Sequence, residues 1–127
     1  MKILRHIALL LLALASALAA MAAVPRPVET EGLTLRSDLL GRDVRYSVIV
    51  PQGAEGERFP VLYLLHGIGG DCSSWLEYTD VASMIQRGEV GPMVVVMPDG
   101  YLSYYSDAAD GSMPYERMFL EELMPEI

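Results

Sequence analysis

The sequence holds a single cysteine, Cys72, so no disulfide can close within the chain, even in an oxidising compartment that would permit one. Cys72 is then a packed apolar side chain, a free thiol, or half of a bridge to residues elsewhere, and packing is the expected state. Only two histidines occur, His6 and His66, and the order G-x-S-x-G is absent. The strained elbow that presents a nucleophilic serine is therefore not encoded within these 127 residues. Basic side chains are also scarce, nine against seventeen acidic, for a formal net charge of -8. Such a surface disfavours nucleic acid and anionic membranes as partners.

What is present begins with an address. Lys2 and Arg5 give a basic start, Ile7 to Leu18 is apolar, and small residues follow at Ala17-Leu18-Ala19 and Ala20-Met21-Ala22. This is the order of a secretory signal peptide, with cleavage near Ala19–Ala22. A membrane anchor is the rival, because Ile7 to Val24 is uncharged and just long enough to span. The alanine-rich second half favours cleavage, and no cysteine follows that would mark a lipoprotein. The expected organisation is a signal peptide over 1–22, a proline-bearing charged linker over 23–32, and one domain portion over 33–127, about a hundred residues long. The mature chain is expected to be secreted or periplasmic, with no stable membrane insertion. Nine basic residues less Lys2 and Arg5 leaves seven against seventeen acidic, near -10.

The chain is organised around Phe59 to Asp71, FPVLYLLHGIGGD. Val61 to Leu65 is a short apolar run closed by glycines, which predicts a strand buried on both faces of a parallel sheet. Upstream, Leu33–Ser37 and Asp43–Val50 have strand composition, joined by a turn over Asp38–Arg42. Tyr46, Val48 and Val50 alternate with Arg45, Ser47 and Ile49, the pattern of a half-buried antiparallel strand. Downstream, Ser74 to Tyr78 can open a helix. Asp80 to Arg87 reads as one, with Thr79 or Asp80 as N-cap and Gly88 as the stop. Met93 to Met97 is a second continuously apolar strand, so strand, helix and strand predict a crossover between parallel neighbours.

After a tyrosine-rich loop over 100–112, helical spacing resumes at Pro114. Phe119, Leu123 and Ile127 align there, Glu116, Glu121 and Glu122 point outward, and Pro125 bends or ends the helix. The fold class is α/β: an antiparallel strand pair leading into parallel strands with flanking helices. A sheet ending at Ile127 would leave an open edge and an apolar face, so the chain is expected to be a truncated half that folds poorly alone.

The chemistry points to the turn after the central strand. Gly67, Gly69 and Gly70 let the backbone bend sharply and expose its own N–H groups, where open α/β sheets bind ligands. In α/β-hydrolases one oxyanion donor comes from the loop after the third strand, which Pro60–Leu65 is by count. A dinucleotide fingerprint fits poorly, because Cys72 stands where its third glycine belongs and Glu89 only loosely matches the ribose-binding acid. His66, Asp71 and Cys72 are metal-ligand types without a recognisable spacing. A Cys72–His66 thiol pair lacks an orienting acid and an elbow. Asp99, Asp107 and Asp110 lack an EF-hand spacing and read as solvated acids. Tyr101, Tyr104 and Tyr105 could stack on a sugar or aryl group, or serve as half-buried loop aromatics. Gly111-Ser112 reads as an N-cap region, and His66 as a buttress bonded to local backbone.

FPVLYLLHGIGGD, SSWLEYTD, GPMVVVMPDG, SYYSD and YERMFLEELMPEI resemble, in that order, the esterase D-like esterase family of the α/β-hydrolase superfamily. That family includes tributyrin-type, feruloyl and acetyl esterases, S-formylglutathione hydrolases and mycolyltransferases. The resemblance covers Tyr46 to Ile127. It implies the N-terminal half of an α/β-hydrolase sheet and an exported serine esterase acting on short acyl, acetyl or feruloyl esters. It places the oxyanion donor at the backbone N–H of Ile68, with Gly67 and Gly69 setting the turn and His66 structural. Ser103, Tyr104 and Tyr105 match the family's aromatic–serine segment near the substrate, and Asp71 and Trp75 fall in the loop that shapes the pocket edge.

The nucleophile, acid and catalytic histidine would lie in a missing C-terminal half, so the chain alone is expected to be inactive. The implied partners are a small-molecule ester or an acylated polysaccharide, with no cofactor and no metal. The alternative is a non-catalytic remnant that binds carbohydrate or a partner through Trp75 and the Tyr104–Tyr105 loop.

Overall fold

A computed structural model describes residues 26–53 and 56–127. The signal peptide expected over 1–22 and the first three linker residues lie outside them. Four strands form one mixed sheet in the order β1-β2-β4-β3. They are β1 (Val28–Ser37), β2 (Arg42–Val50), β3 (Val61–Tyr63) and β4 (Val94–Pro98). β2 runs antiparallel to both β1 and β4, whereas β3 and β4 are parallel. Between the parallel pair stand two short helices, α1 (Ser74–Tyr78) and α2 (Val81–Gln86).

β1 begins at Val28, inside the stretch read as a linker. Its residues through Leu33 are largely exposed, as an edge strand allows, so Glu and Thr there carry no burial signal. The pairing register shifts between Thr30 and Leu33. There Gly32 takes φ +69° and donates its N–H to Ser47 Oγ at 3.3 Å. This irregularity lets the ladder continue where the composition suggests a loop.

The sheet has a core on each face. On one, Val44, Tyr46, Val48 and Val96 pack with Tyr115, Met118 and Leu123 from the C-terminal helical stretch. On the other, Ile49, Val95 and Met97 pack with Ala82 and Ile85 of α2. β4 is therefore buried on both faces, the environment its unbroken apolar run requires. β2 is not half-buried as its alternation suggested: Ser47 and Ile49 are as buried as Val44, and Val50 is the exposed one. The second face was illegible because a serine and an arginine interrupt it. β3 departs in the other direction. Among the described residues it pairs with β4 alone, at the sheet edge, so Val61 and Leu62, and Leu65 just beyond it, remain exposed.

The C-terminal stretch is α3 (Tyr115–Met118), a π-helical turn (Phe119–Leu123) and α4 (Met124–Glu126). Pro125 has no N–H to donate, and just before it the helix widens so that Met124 N–H donates to Phe119 C=O, five residues back. Ile127, expected in line with Phe119 and Leu123, is exposed. Ser112 bonds Asp110 Oδ1 through N–H and hydroxyl (2.9 and 2.6 Å) and caps no helix; α3 starts three residues later.

Glu122 does not point outward. Its Oε2 accepts the Ser37 hydroxyl at 2.5 Å, and its Oε1 accepts the N–H groups of Asp38 and Leu39, each at 3.0 Å. It thus caps the β1–β2 turn, where Gly41 supplies the left-handed residue at φ +63°. Burial alone would raise its carboxyl, but the three donors from Ser37, Leu39 and Asp38 together hold it below the usual glutamate value. Among the described residues no helix is long and apolar enough to cross a membrane.

Candidate active site

Because β3 and β4 are parallel neighbours, the loops leaving their C-terminal ends emerge side by side. The first is residues 66–70 and the second residues 99–105. Gly70 N–H donates to Gly67 C=O at 3.1 Å, closing a four-residue turn. Its third residue, Gly69, has φ +81°, and its second, Ile68, is not in the positive-φ region. That combination is a type II turn, which leaves the N–H of its second residue unused. Accordingly, the Ile68 N–H has no hydrogen-bond partner among the described residues, and the residue is 85% exposed.

The glycines divide their work differently from the expectation. Gly69 is needed for its conformation. Gly70 is needed for room: a Cβ there would lie 2.7 Å from Ser74 Oγ and 3.1 Å from His66 Cβ. Gly67 needs neither, since its φ is ordinary and an added Cβ would meet nothing within 4 Å. Its bare Cα instead leaves open space beside the Ile68 amide.

His66 is buried and fixes the two loops to each other. Its Nε2 accepts Gly100 N–H at 2.8 Å, so the ring proton sits on Nδ1 and is donated to Gly67 C=O at 2.7 Å. Asp99 Oδ1 lies 3.5 Å from Nε2, but that lone pair is already occupied, and no proton points at the carboxylate. With both ring nitrogens bonded to backbone, His66 has none left for a substrate.

Tyr105 completes the junction. Its hydroxyl accepts His66 N–H at 2.8 Å and donates to His66 C=O at 3.1 Å, and its ring meets the imidazole edge-on at 5.6 Å. Gly100 must be glycine for this, because a Cβ there would stand 2.5 Å from the Tyr105 ring. Burial pushes the Tyr105 phenol up to about 12, so it is neutral at ordinary pH. Beneath it the buried Tyr115 donates to Asp99 C=O at 2.9 Å. Tyr105 was read only as one aromatic of a segment. Its bridge joins loops from different strands, and the local sign was Gly100, two residues past β4 and five before Tyr105.

The loop over 99–105 is strained. Tyr101, Tyr104 and Tyr105 take φ +50°, +54° and +57°, values that bulky side chains rarely adopt. Ser103, expected near the substrate, is buried and consumed in holding this loop. Its Oγ donates to Gly100 C=O at 2.6 Å and accepts Tyr105 N–H at 2.9 Å. Tyr104, by contrast, is exposed. Trp75 on α1 is half-buried against the α2 side of the sheet, its Nε1 without a partner among the described residues. Asp71 Oδ1 accepts the Ser73 hydroxyl and N–H (2.7 and 2.8 Å), bonds that hold its carboxyl below the usual range. Cys72 is a fully buried free thiol. Among the described residues no three His, Cys, Asp or Glu side chains are grouped to hold a metal ion.

Two clefts flank the turn. One, of about 390 Å³, runs from His66–Ile68 toward Asp71, Trp75 and Tyr78. The other, of about 310 Å³, runs from the same three residues toward Tyr101, Leu102 and Tyr104. An unused N–H on a rigid turn between two clefts can receive negative charge developing on a ligand oxygen.

Known proteins resemble this chain in sequence and fold. Residues 37–127 match the family described as "Putative esterase". The endo-1,4-beta-xylanase/feruloyl esterase of Xylanibacter ruminicola is 29% identical over 108 residues, 75% of this chain and 15% of that protein. A solved ferulic acid esterase superposes with a TM-score of 0.70 at 27% identity, over 80% of this chain and 43% of its own. The S-formylglutathione hydrolase from Agrobacterium tumefaciens gives a TM-score of 0.61 at 21% identity, over 79% and 42%, a likeness of fold. The chain thus spans less than half the length of each of these relatives. With a match from the first turn of the sheet through Ile127, it belongs to the "Putative esterase" family.

Proposed function

We propose that this chain supplies the oxyanion loop of an exported serine esterase that hydrolyses short acyl, acetyl or feruloyl esters. The observation that carries it is the Ile68 N–H, left without a partner among the described residues on a turn that His66 and Tyr105 hold at the end of a parallel strand. A serine hydroxyl contributed by sequence beyond Ile127 attacks the ester carbonyl and gives its proton to a histidine from the same region. The carbonyl oxygen, now negative, takes up the Ile68 N–H and the N–H after the serine. Collapse releases the alcohol, which regains the proton, and water then frees the acid by the same steps. One aimed donor of this kind is worth about 3 kcal/mol to the transition state.

Similarity to proteins named feruloyl or ferulic acid esterases supports an acyl group borne on polysaccharide. The signal-peptide pattern over 1–22 supports export, which separates the enzyme from cytosolic thiol esters. Appearance of the protein outside the cytoplasm with an N-terminus beyond Ala19–Ala22 tests this. Retention of Met1 on a cytoplasmic product counts against it.

Ile68→Pro in the full-length protein tests the site. Proline is at home in the second position of a type II turn, so the change removes the N–H and leaves the turn. Turnover of p-nitrophenyl butyrate is expected to fall by about two to three orders of magnitude. Unchanged turnover rejects Ile68 as the donor. Coding sequence after Ile127 is expected to contain G-x-S-x-G, then an acid, then a histidine; a stop codon there favours a binding module instead.

A further inference from the structure

An ester carbon whose oxygen rests at the Ile68 N–H carries two substituents, and they must leave that point in different directions. The structure offers two. His66, Gly67 and Ile68 are the shared wall of both clefts, so each cleft starts at the proposed oxyanion position. Beyond the wall the two differ in chemistry. One continues along Tyr101, Leu102 and Tyr104, with no charged side chain in its lining. The other continues along Asp71, Ser73, Glu77 and Tyr78.

The apolar cleft presents large apolar side chains beside the Ile68 amide. Leu102 is 78% and Tyr104 81% exposed, although both are large and apolar. Tyr104 is held out by a left-handed backbone at φ +54°, a costly conformation that no burial of its ring offsets. Exposed apolar groups gathered at a cleft mark a binding surface. The polar cleft offers hydroxyl acceptors and a platform. Asp71 Oδ1 takes both Ser73 donors, leaving Oδ2 without a partner among the described residues, and Tyr78 is 81% exposed.

We propose that the Tyr101–Leu102–Tyr104 cleft receives the acyl group, alkyl or aryl and uncharged, and that the Asp71–Tyr78 cleft receives a polyhydroxylated alcohol such as a glycosyl unit. The assignment rests on the oxyanion role given to Ile68. The ionised Asp71 and the nearby Glu77 also select against alcohols that bear a carboxylate.

The test uses the full-length enzyme and three substrates: methyl acetate, methyl ferulate and feruloylated arabinose. Tyr104→Ala and Leu102→Ser are expected to lower kcat/KM for methyl ferulate about tenfold more than for methyl acetate, the scale of lost apolar contacts in a pocket. The ratio between methyl ferulate and feruloylated arabinose should hold in both. Tyr78→Ala is expected to do the opposite, cutting the preference for the arabinose ester over the methyl ester about fivefold or more. An exchanged pattern, or losses equal across all three esters, overturns the assignment. Those outcomes leave the esterase itself standing if Ile68→Pro still abolishes turnover. An enzyme indifferent to Ile68→Pro removes the oxyanion role and this assignment with it.

Discussion

The Tyr105 hydroxyl lies between the two ends of the His66 residue, taking its N–H at 2.8 Å and giving its proton to its C=O at 3.1 Å. One side chain from the β4 loop thus fixes both polar groups at the entrance to the β3 turn. Tyr105→Phe keeps the ring packing and deletes both bonds. In the full-length enzyme we expect kcat to fall about tenfold with KM little altered, because the turn is misplaced and not the substrate. Stability should drop by about 1 kcal/mol, read from the shift in a denaturation midpoint. A loss confined to stability would make Tyr105 a packing residue only.

The same phenol predicts alkaline behaviour. Its value is raised from 10.0 to about 12, chiefly by burial, so the folded state favours the neutral form. That contribution is complete below pH 10 and is lost as pH rises from 10 through 12. Wild-type stability should decline across this interval more steeply than that of Tyr105→Phe. Parallel curves for the two proteins would show that Tyr105 is not the titrating group.

Gly67 and Gly69 stand two residues apart and should respond differently to alanine. Gly69→Ala forces a side chain into φ +81° and is expected to cost roughly 1–2 kcal/mol of stability. Gly67→Ala meets no atom within 4 Å and should stay within about 0.5 kcal/mol of wild type. Its methyl enters the space beside the Ile68 amide, so kcat/KM should nevertheless fall about tenfold. Thermal melts alongside steady-state rates separate the two effects.

Glu122 carries the acid-side prediction. Its folded carboxyl lies below the ordinary value of 4.5, so it stabilises the fold above that pH and ceases to do so as pH drops through the lowered value. Glu122→Ala leaves Ser37, Asp38 and Leu39 without their acceptor and should cost about 2 kcal/mol at pH 7. The gap from wild type should narrow as pH falls from 4.5 through the lowered value. Urea titrations from neutral pH down through this range measure it, and a gap that is constant with pH removes the carboxylate from the account.

Legibility in the sequence followed locality. β4 was readable because five consecutive apolar residues need cover on both faces, and the β1–β2 turn because Gly41 marks a left-handed position. The turn after β3 was visible as a glycine cluster after a strand. The head of β1 was not, since an edge strand tolerates Glu and Thr as a linker does. Nor was Glu122, whose partners lie more than eighty residues away. The loop-closing role of Ser103 was hidden for a related reason: a hydroxyl near a pocket and a hydroxyl closing the pocket's loop are identical in one dimension. Tyr105 was hidden because the backbone groups it bonds, those of His66, lie 39 residues away on another loop.

The wide turn at Phe119–Leu123 also shifts the phase of everything after it. Each residue of an ordinary helix advances it by about 100°, so one extra residue per turn rotates the following segment by that amount. Leu123 still reaches the core, and Ile127 swings out of register with it. The widening therefore acts as a built-in insertion: removing one residue within 119–122 would let the helix tighten and carry Ile127 round toward the buried side.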